Sequence, residues 1–428
     1  MKFFFSTVLL VLMLVACSKI YNTILSQEKE EKGHDPVDFD SLLLESLDGP
    51  ITVNELAAFK AYIQDYNPNP NKNDGNVWVF GNRGKAIEAC GLMVEATQDQ
   101  TILDRMVYYC DEALAGRNDL ASEADGGQRI AWTGKVEPIW PSNTVEPAGA
   151  GVEQGAVLAH LAFCAKLILQ MPSIWNNPVS IGDPHDFGVT YKERALTYIV
   201  EADAVIDDWI IPHFVRIEES NHLYFPGPPN EYKPNQPAPW NQLFMVTNAL
   251  VRLTECHLLL DDAPERIAQY DNIVNPNLQW FFSTLQTHQT AAGTTAYLWD
   301  YALDAQIEDA NHFAYDAEGL WIAYNAGRYA ITFDSLLPFA NTYVDVILAT
   351  KNEDTGKFAG KVDGTTGSGN SGGDTYVRDE YFYLPDFRPD KFESMCSINI
   401  NDGKIKKSLP ITARILWQKQ RRHLEEGD

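Results

Sequence analysis

Basic charge is scarce in this chain. Its 428 residues carry 33 Lys and Arg against 59 Asp and Glu, a formal net charge of −26. That balance excludes broad, sequence-independent capture of nucleic acid, which needs a basic face. It also argues against a polybasic membrane surface. An acidic ligand remains within reach, but only through a local group of Arg, Lys, His and amide side chains. Cysteine is sparse as well: six residues, with no CxxC pair, which removes a zinc-type framework. With Cys17 set aside, an odd five remain and cannot all pair. Cys90, Cys110, Cys164 and Cys256 sit among apolar residues and read as small buried hydrophobes, with one disulfide allowed in an oxidising compartment. There is no HExxH, EF-hand loop, P-loop or GxSxG. No metal or cofactor is therefore expected. Alternating strand patterns, a βαβ rhythm and a repeat of fixed period are all missing.

What the chain does have is a helical period. Residues 1–16 carry one positive charge, an apolar run and small residues, and read as a secretory signal too short to span a membrane. Leu14-Val15-Ala16-Cys17 matches a bacterial lipobox, so the expectation is an exported lipoprotein lipidated at Cys17, facing the periplasm or displayed on the cell surface. Residues 17–45 read as a polar tether. Residues 46–428 form one domain, with helices expected near 52–65, 83–98, 101–116, 151–171, 189–211, 241–261, 264–288, 308–328, 332–350 and 408–424. The 151–171 helix is apolar nearly all round, so it is buried on most sides. The 189–211 helix has a charged face and belongs outside. Buried and amphipathic helices in antiparallel pairs predict an all-α fold, specifically an α/α-toroid with a cleft lined by inner helices. Three long connections, 117–150, 220–240 and 352–374, are candidates to roof that cleft.

Several residues in this layout suit carbohydrate chemistry. Trp132, Trp140, Trp240 and Trp299 lie in or beside loops. Any one of them is adequately explained as a ring closing the core, but as a set they suggest a sugar groove. Asn241 and Gln242 open a helix, where free N–H groups and a positive dipole end suit a carboxylate; a plain helix cap is the alternative. The stretch 295–316 holds Tyr297, Tyr301, Glu308, His312 and Tyr315. A helix starting near Ile307 puts Glu308, His312 and Tyr315 on one face, with Glu308 orienting the imidazole. Glu153 and Gln154 open the apolar helix, and His160 within it reads as a core histidine. His185 lies on a loop, and Arg83 and Arg129 stand near loop or helix starts, where each fits a substrate carboxylate or an ordinary ion pair.

The lipobox, the stretch RIAWTGKVEPIWPSNTVEPAGAGVEQGAVLAHLAFCAKLIL (129–169), PWNQ (239–242) and YLWDYALDAQIEDANHFAYD (297–316) together resemble bacterial polyuronate lyases of the α/α-toroid type, the alginate and glucuronan lyases in particular. The resemblance covers most of 80–350. It departs from one alginate lyase pattern where Asn241 is followed by Gln242 rather than His. It implies β-elimination: a base takes the uronate C5 proton, the carboxylate is neutralised, and an acid protonates O4. In mannuronate and glucuronate, H5 and O4 lie on one side of the ring; in guluronate they lie on opposite sides. Tyr297 is the expected base and acid, with Tyr301 as runner-up. Asn241 neutralises the carboxylate, helped by Gln242 or His312, and His185 or His312 serves the opposite face. Substrate contacts are expected from Trp132, Trp140, Arg129, Glu153, Gln154, Trp240, Gln242, Trp299, Glu308 and Arg83. The expected partner is alginate, or failing that glucuronan, acted on by a monomer. Two other readings stay open: a toroid glycoside hydrolase using Glu308 or Asp309 with Glu153, and a non-catalytic glycan-binding lipoprotein.

Overall fold

The computed structural model describes residues 42–68, 83–123, 126–143, 145–401, 404–405 and 408–427. The expected signal, Cys17 and the tether up to residue 41 lie outside the described residues.

The chain is mostly helical, as expected. The helices are α1 (Val53–Asp65), α2 (Gly84–Thr97), α3 (Gln100–Ala115), α4 (Gln154–Leu169), α5 (Tyr191–Val205), α6 (Trp240–Leu260), α7 (Pro264–Ser283), α8 (Ala310–Asn325), α9 (Phe333–Asn341), α10 (Phe392–Ser397) and α11 (Leu409–Gly427). Their starts follow local chemistry. Thr52 with Glu55 and Thr190 with Glu193 form reciprocal capping boxes for α1 and α5. Asp99 and Asp309 cap α3 and α8 through their carboxylates. Pro264 sits in the first turn of α7, just after Asp261 ends α6 in the left-handed region.

Neighbouring helices close a cycle: α2 packs on α4, α4 on α6, α6 on α8, α8 on the 3-10 segment Asp379–Asp386, that segment on α11, and α11 returns to α2. Outside it, α3 lies against α2 and α4, α5 against α4, and α7 against α6. Contacts advance together along the inner helices. Arg252 reaches the Ala159 carbonyl and Lys166 reaches Glu255 farther on, while Glu88 meets His160. The inner helices α2, α4 and α6 therefore run parallel, with their N-termini at one end. Gly155 permits a close backbone approach between α4 and α6: a Cβ there would stand 2.5 Å from the Val246 amide nitrogen.

The inner helices are buried on nearly every side. Their half-exposed positions in the N-terminal half fall on single stripes: Lys85 on α2, Ala156 and His160 on α4, Gln242 and Met245 on α6, and His312, Tyr315 and Glu318 on α8. Because other elements cover their outer faces, these stripes open on the axis of the cycle. By composition and length α6 passes as a membrane span, yet it is a mostly buried core helix.

Three details differ from expectation. Leu42 and Leu44 are buried in the core, so residues 42–44 belong to the packed chain rather than to the expected 17–45 tether. The end of the expected 264–288 helix is a strand: β3 (Gln286–Gln289) pairs with β4 (Thr295–Leu298), following a small hairpin of β1 (Val215–Arg216) and β2 (His222–Leu223). The 379–386 segment, with few helix-spaced polar positions, carries no sequence signal yet completes the cycle. All five described cysteines are buried and free.

Candidate functional site at the mouth of the helical cycle

The N-terminal end of α8 gathers the densest set of reactive groups. Helix α8 begins at Ala310, so the cap is Asp309 rather than Glu308. Asp309 Oδ1 accepts from the Asn311 and His312 amides, while its Oδ2 lies 2.9 Å from His312 Nδ1. Glu308 is farther from that nitrogen, at 3.9 Å. The orienting acid is thus Asp309, one residue from the expected one, because the helix starts three residues later than its apolar period suggests. A proton on Nδ1 donates to the Asp309 carboxylate, so Nε2 is the ring nitrogen outside this pair. Burial works against the Asp309 charge, but His312 and the two amides outweigh it and lower its pKa.

Beneath this pair, Glu308 and Asp316 are completely buried, and Glu308 Oε2 and Asp316 Oδ1 have no hydrogen-bond partner among the described residues. Burial first, then the charges of Asp316 and Asp309, raises the Glu308 pKa well above the usual carboxylate range, and burial raises Asp316 as well. Asp316 also accepts from Trp299 Nε1 at 3.2 Å. Glu308, Asp309 and His312 present ligand atoms within 4.8 Å of one another, but these atoms already bond to each other or to backbone amides.

Tyr301 lies against His312, ring centroids 4.7 Å apart, and Lys233 stands 5.3 Å from the Tyr301 ring. Burial, Tyr232 and the carboxylates of Glu308 and Asp309 push the Tyr301 phenol far up, so it stays protonated. The Tyr301 carbonyl accepts from the Trp240 amide, which ties this loop to the start of α6. There Asn241 Oδ1 and Gln242 Oε1 are buried with no hydrogen-bond partner. Such amides invite a ligand, since either end can be presented by turning the group over.

Lower on the axis, Arg252 makes two hydrogen bonds to Glu88, at 2.6 and 3.0 Å, while His160 and Tyr383 reach the same carboxylate at 3.2 and 3.4 Å. Lys85 bonds Asp379 at 2.6 Å and also Glu380. Burial opposes the Lys85 charge, but Asp379 and Glu380 prevail and keep it protonated, with Tyr315 in its field. Arg414 bonds Glu318 at 2.7 Å. Burial, only partly opposed by Arg414, raises Glu318 to about 7.

Other candidates fall elsewhere. Tyr297, on β4, packs its ring 4.8 Å from Phe339, and its backbone bonds Thr342. Among the described residues no cation acts on its phenol, and burial raises its pKa. His185 stacks on Phe187 and meets Glu112 at 3.3 Å. Arg83 is buried and donates to the carbonyls of Glu112 and Pro68, which makes it a structural cation. Arg129 is half-exposed, its backbone clamped by Asn118. Gln154 is buried and pairs with both backbone groups of Trp140. Glu153 is half-exposed, and burial raises its pKa. Trp140, Trp240 and Trp299 are core rings, each at most 2 % exposed. They close the ends of the helices instead of forming sugar platforms. Trp132 alone of the four lines an open cavity, shared by the 117–150 and 220–240 connections. The third long connection instead packs its Gly360 and Val362 on the start of α8.

Sequence reasoning passed over Lys85, Glu88, Lys233 and Asp316. The one available signal was for Asp316, which follows Tyr315 in the stretch already singled out. No protein-family model, curated protein or solved structure matches this chain.

Proposed function

We propose that this protein is a polysaccharide lyase that cleaves a polyuronate by β-elimination at the mouth of an α/α-toroid. Alginate, through its mannuronate blocks, is the first substrate choice and glucuronan the second. The closed cycle of helices, with α2, α4 and α6 parallel and other helices packed outside them, supports the toroid. One observation carries the chemistry: the Asp309–His312 dyad lies against a protonated Tyr301, whose loop is tied to the start of α6, where the amide oxygens of Asn241 and Gln242 lack partners.

In this reading His312 Nε2 takes the C5 proton. The C–H electrons form the C4–C5 double bond, the C4–O4 bond breaks, and the Tyr301 phenol gives its proton to O4. A proton passing from the imidazolium to the phenolate restores both groups. Asn241 and Gln242 amide N–H groups hold the uronate carboxylate, and Lys233 adds local positive charge as the enolate-like intermediate forms. Base and acid stand side by side, so they approach the sugar from one face, which suits mannuronate and glucuronate. Of the two roles first given to Tyr297, that of acid passes to Tyr301 and that of base to His312. A hydrolase is less well supported, because Glu308 is fully enclosed and cannot reach a glycosidic oxygen. Export and lipid anchoring through Cys17 belong to the same proposal.

The test is a panel of polymannuronate, polyguluronate and glucuronan, read by the ultraviolet absorbance of the conjugated uronate product. Polymannuronate or glucuronan should give that absorbance, and Tyr301→Phe should abolish most of it. Reducing ends without absorbance would point to hydrolysis, and binding without cleavage to a glycan-binding protein. Undiminished lysis by Tyr301→Phe would remove Tyr301 from the mechanism.

A further inference from the structure

A cavity of about 860 Å³ lies between the 117–150 connection and the proline-rich stretch Pro226–Pro229. That volume is within the ~300–1,000 Å³ typical of small-ligand sites. None of its lining residues belongs to the mouth of the helical cycle. Its aromatic wall is Trp132, and the ring is locked in place. Its Nε1 donates to the Ala150 carbonyl at 3.3 Å, and its ring meets Trp209 at 5.2 Å and His213 at 5.1 Å. Trp132 is still half-exposed on the cavity side, while Trp209 behind it is completely buried. The prolines opposite supply a second stiff apolar surface.

The polar groups around this slot are mostly acceptors. Asp208 projects from a π-helical turn, Ile206–Ile210, that interrupts the regular end of α5. Such turns recur at functional sites because they re-aim side chains. Glu137 accepts from the Thr133 hydroxyl at 2.6 Å, and Asp119 is fixed by Arg117. Lys135 is the one Lys or Arg among the lining residues, against three carboxylates.

We infer that this cavity is a glycan-binding site for a neutral pyranose, stacked on Trp132 and held through its hydroxyls by Asp208, Glu137 and Thr133. A flat aromatic wall matches the apolar face of a pyranose ring, and carboxylates accept sugar hydroxyls. The excess of acid repels uronates, so this site selects the opposite class of sugar from the one proposed for the mouth. The inference rests on the cavity alone and stands whether or not the mouth cleaves uronates.

Titration calorimetry on the full protein with cellohexaose, mannohexaose, xylohexaose and tetramannuronate tests it, with no cleavage readout involved. At least one neutral hexaose should bind, and Trp132→Ala should weaken that binding about tenfold, the size expected for truncating a central aromatic anchor. Asp208→Ala, at an exposed position that does not threaten folding, should weaken the same ligand by a smaller factor. The inference is overturned if no neutral hexaose binds. It is equally overturned if both variants, folded by circular dichroism, bind like the wild type, or if Trp132→Ala lowers only tetramannuronate binding.

Discussion

Replacing Arg252 with Met tests the charged floor of the helical axis. Glu88 and Arg252 are each about 5 % exposed and join α2 to α6 through two hydrogen bonds, with His160 of α4 and Tyr383 of the 3-10 segment on the same carboxylate. Removing the guanidinium strands a buried carboxylate, a loss of about 3–5 kcal/mol. Replacing both partners, Glu88→Gln with Arg252→Met, removes the stranded charge and should recover most of that, a coupling of about 2–3 kcal/mol in a double-mutant cycle. The pH dependence has a definite sign. Burial favours a neutral Glu88, but Arg252 and His160 win and hold its pKa well below the usual value. In the wild type its stabilisation is therefore complete above the unfolded carboxyl value of about 4.3 and is lost as pH falls through the lower folded value. Without Arg252 burial dominates and the folded pKa rises, so the variant loses stability as pH increases. The gap between the two proteins should widen from about pH 4 to pH 7. Urea unfolding followed by circular dichroism at both pH values measures it. A cost below about 1 kcal/mol at pH 7, or a gap that does not change with pH, would refute the floor as described.

Three further outcomes are expected. Asp309→Asn keeps a competent helix cap but loses the carboxylate on His312 Nδ1, so turnover in the proposed lyase reaction should fall at least about a hundredfold with the unfolding midpoint little changed; steady-state rates and urea titration separate the two. Gly155→Ala sets a Cβ 2.5 Å from the Val246 amide nitrogen and should cost about 1–3 kcal/mol despite alanine's better helix propensity, whereas Gly116→Ala, with its nearest atoms at 3.5 Å, should be nearly neutral by the same unfolding assay. Glu318 has a folded pKa of about 7, above its unfolded value, so its contribution is full at low pH and lost as pH rises through about 7; Glu318→Gln should flatten that part of the stability profile, and an unchanged slope between about pH 5 and pH 8 would contradict the assignment.

Much of the fold was legible in the chain itself. Caps such as Thr52, Thr190 and Pro264, together with the apolar period of 151–171, act within a turn or two of backbone. Local chemistry therefore placed ten helices to within a few residues at most ends, and the acid excess set the charge of the whole surface. The clustering of Tyr301, His312 and their acids was also visible, because those residues lie within sixteen positions of one another. Tertiary structure alone decided the rest. Trp132 faces a cavity while Trp140, Trp240 and Trp299 are core, since exposure depends on which distant elements cover a ring. The orienting acid is Asp309 and not Glu308, since the helix begins at Ala310, which leaves Glu308 ahead of the cap and makes Asp309 the cap three residues from His312. Glu88 and Arg252 meet across 164 positions, Lys85 and Asp379 across 294. No local pattern encodes such pairs, because their partners arrive only when the cycle of helices closes.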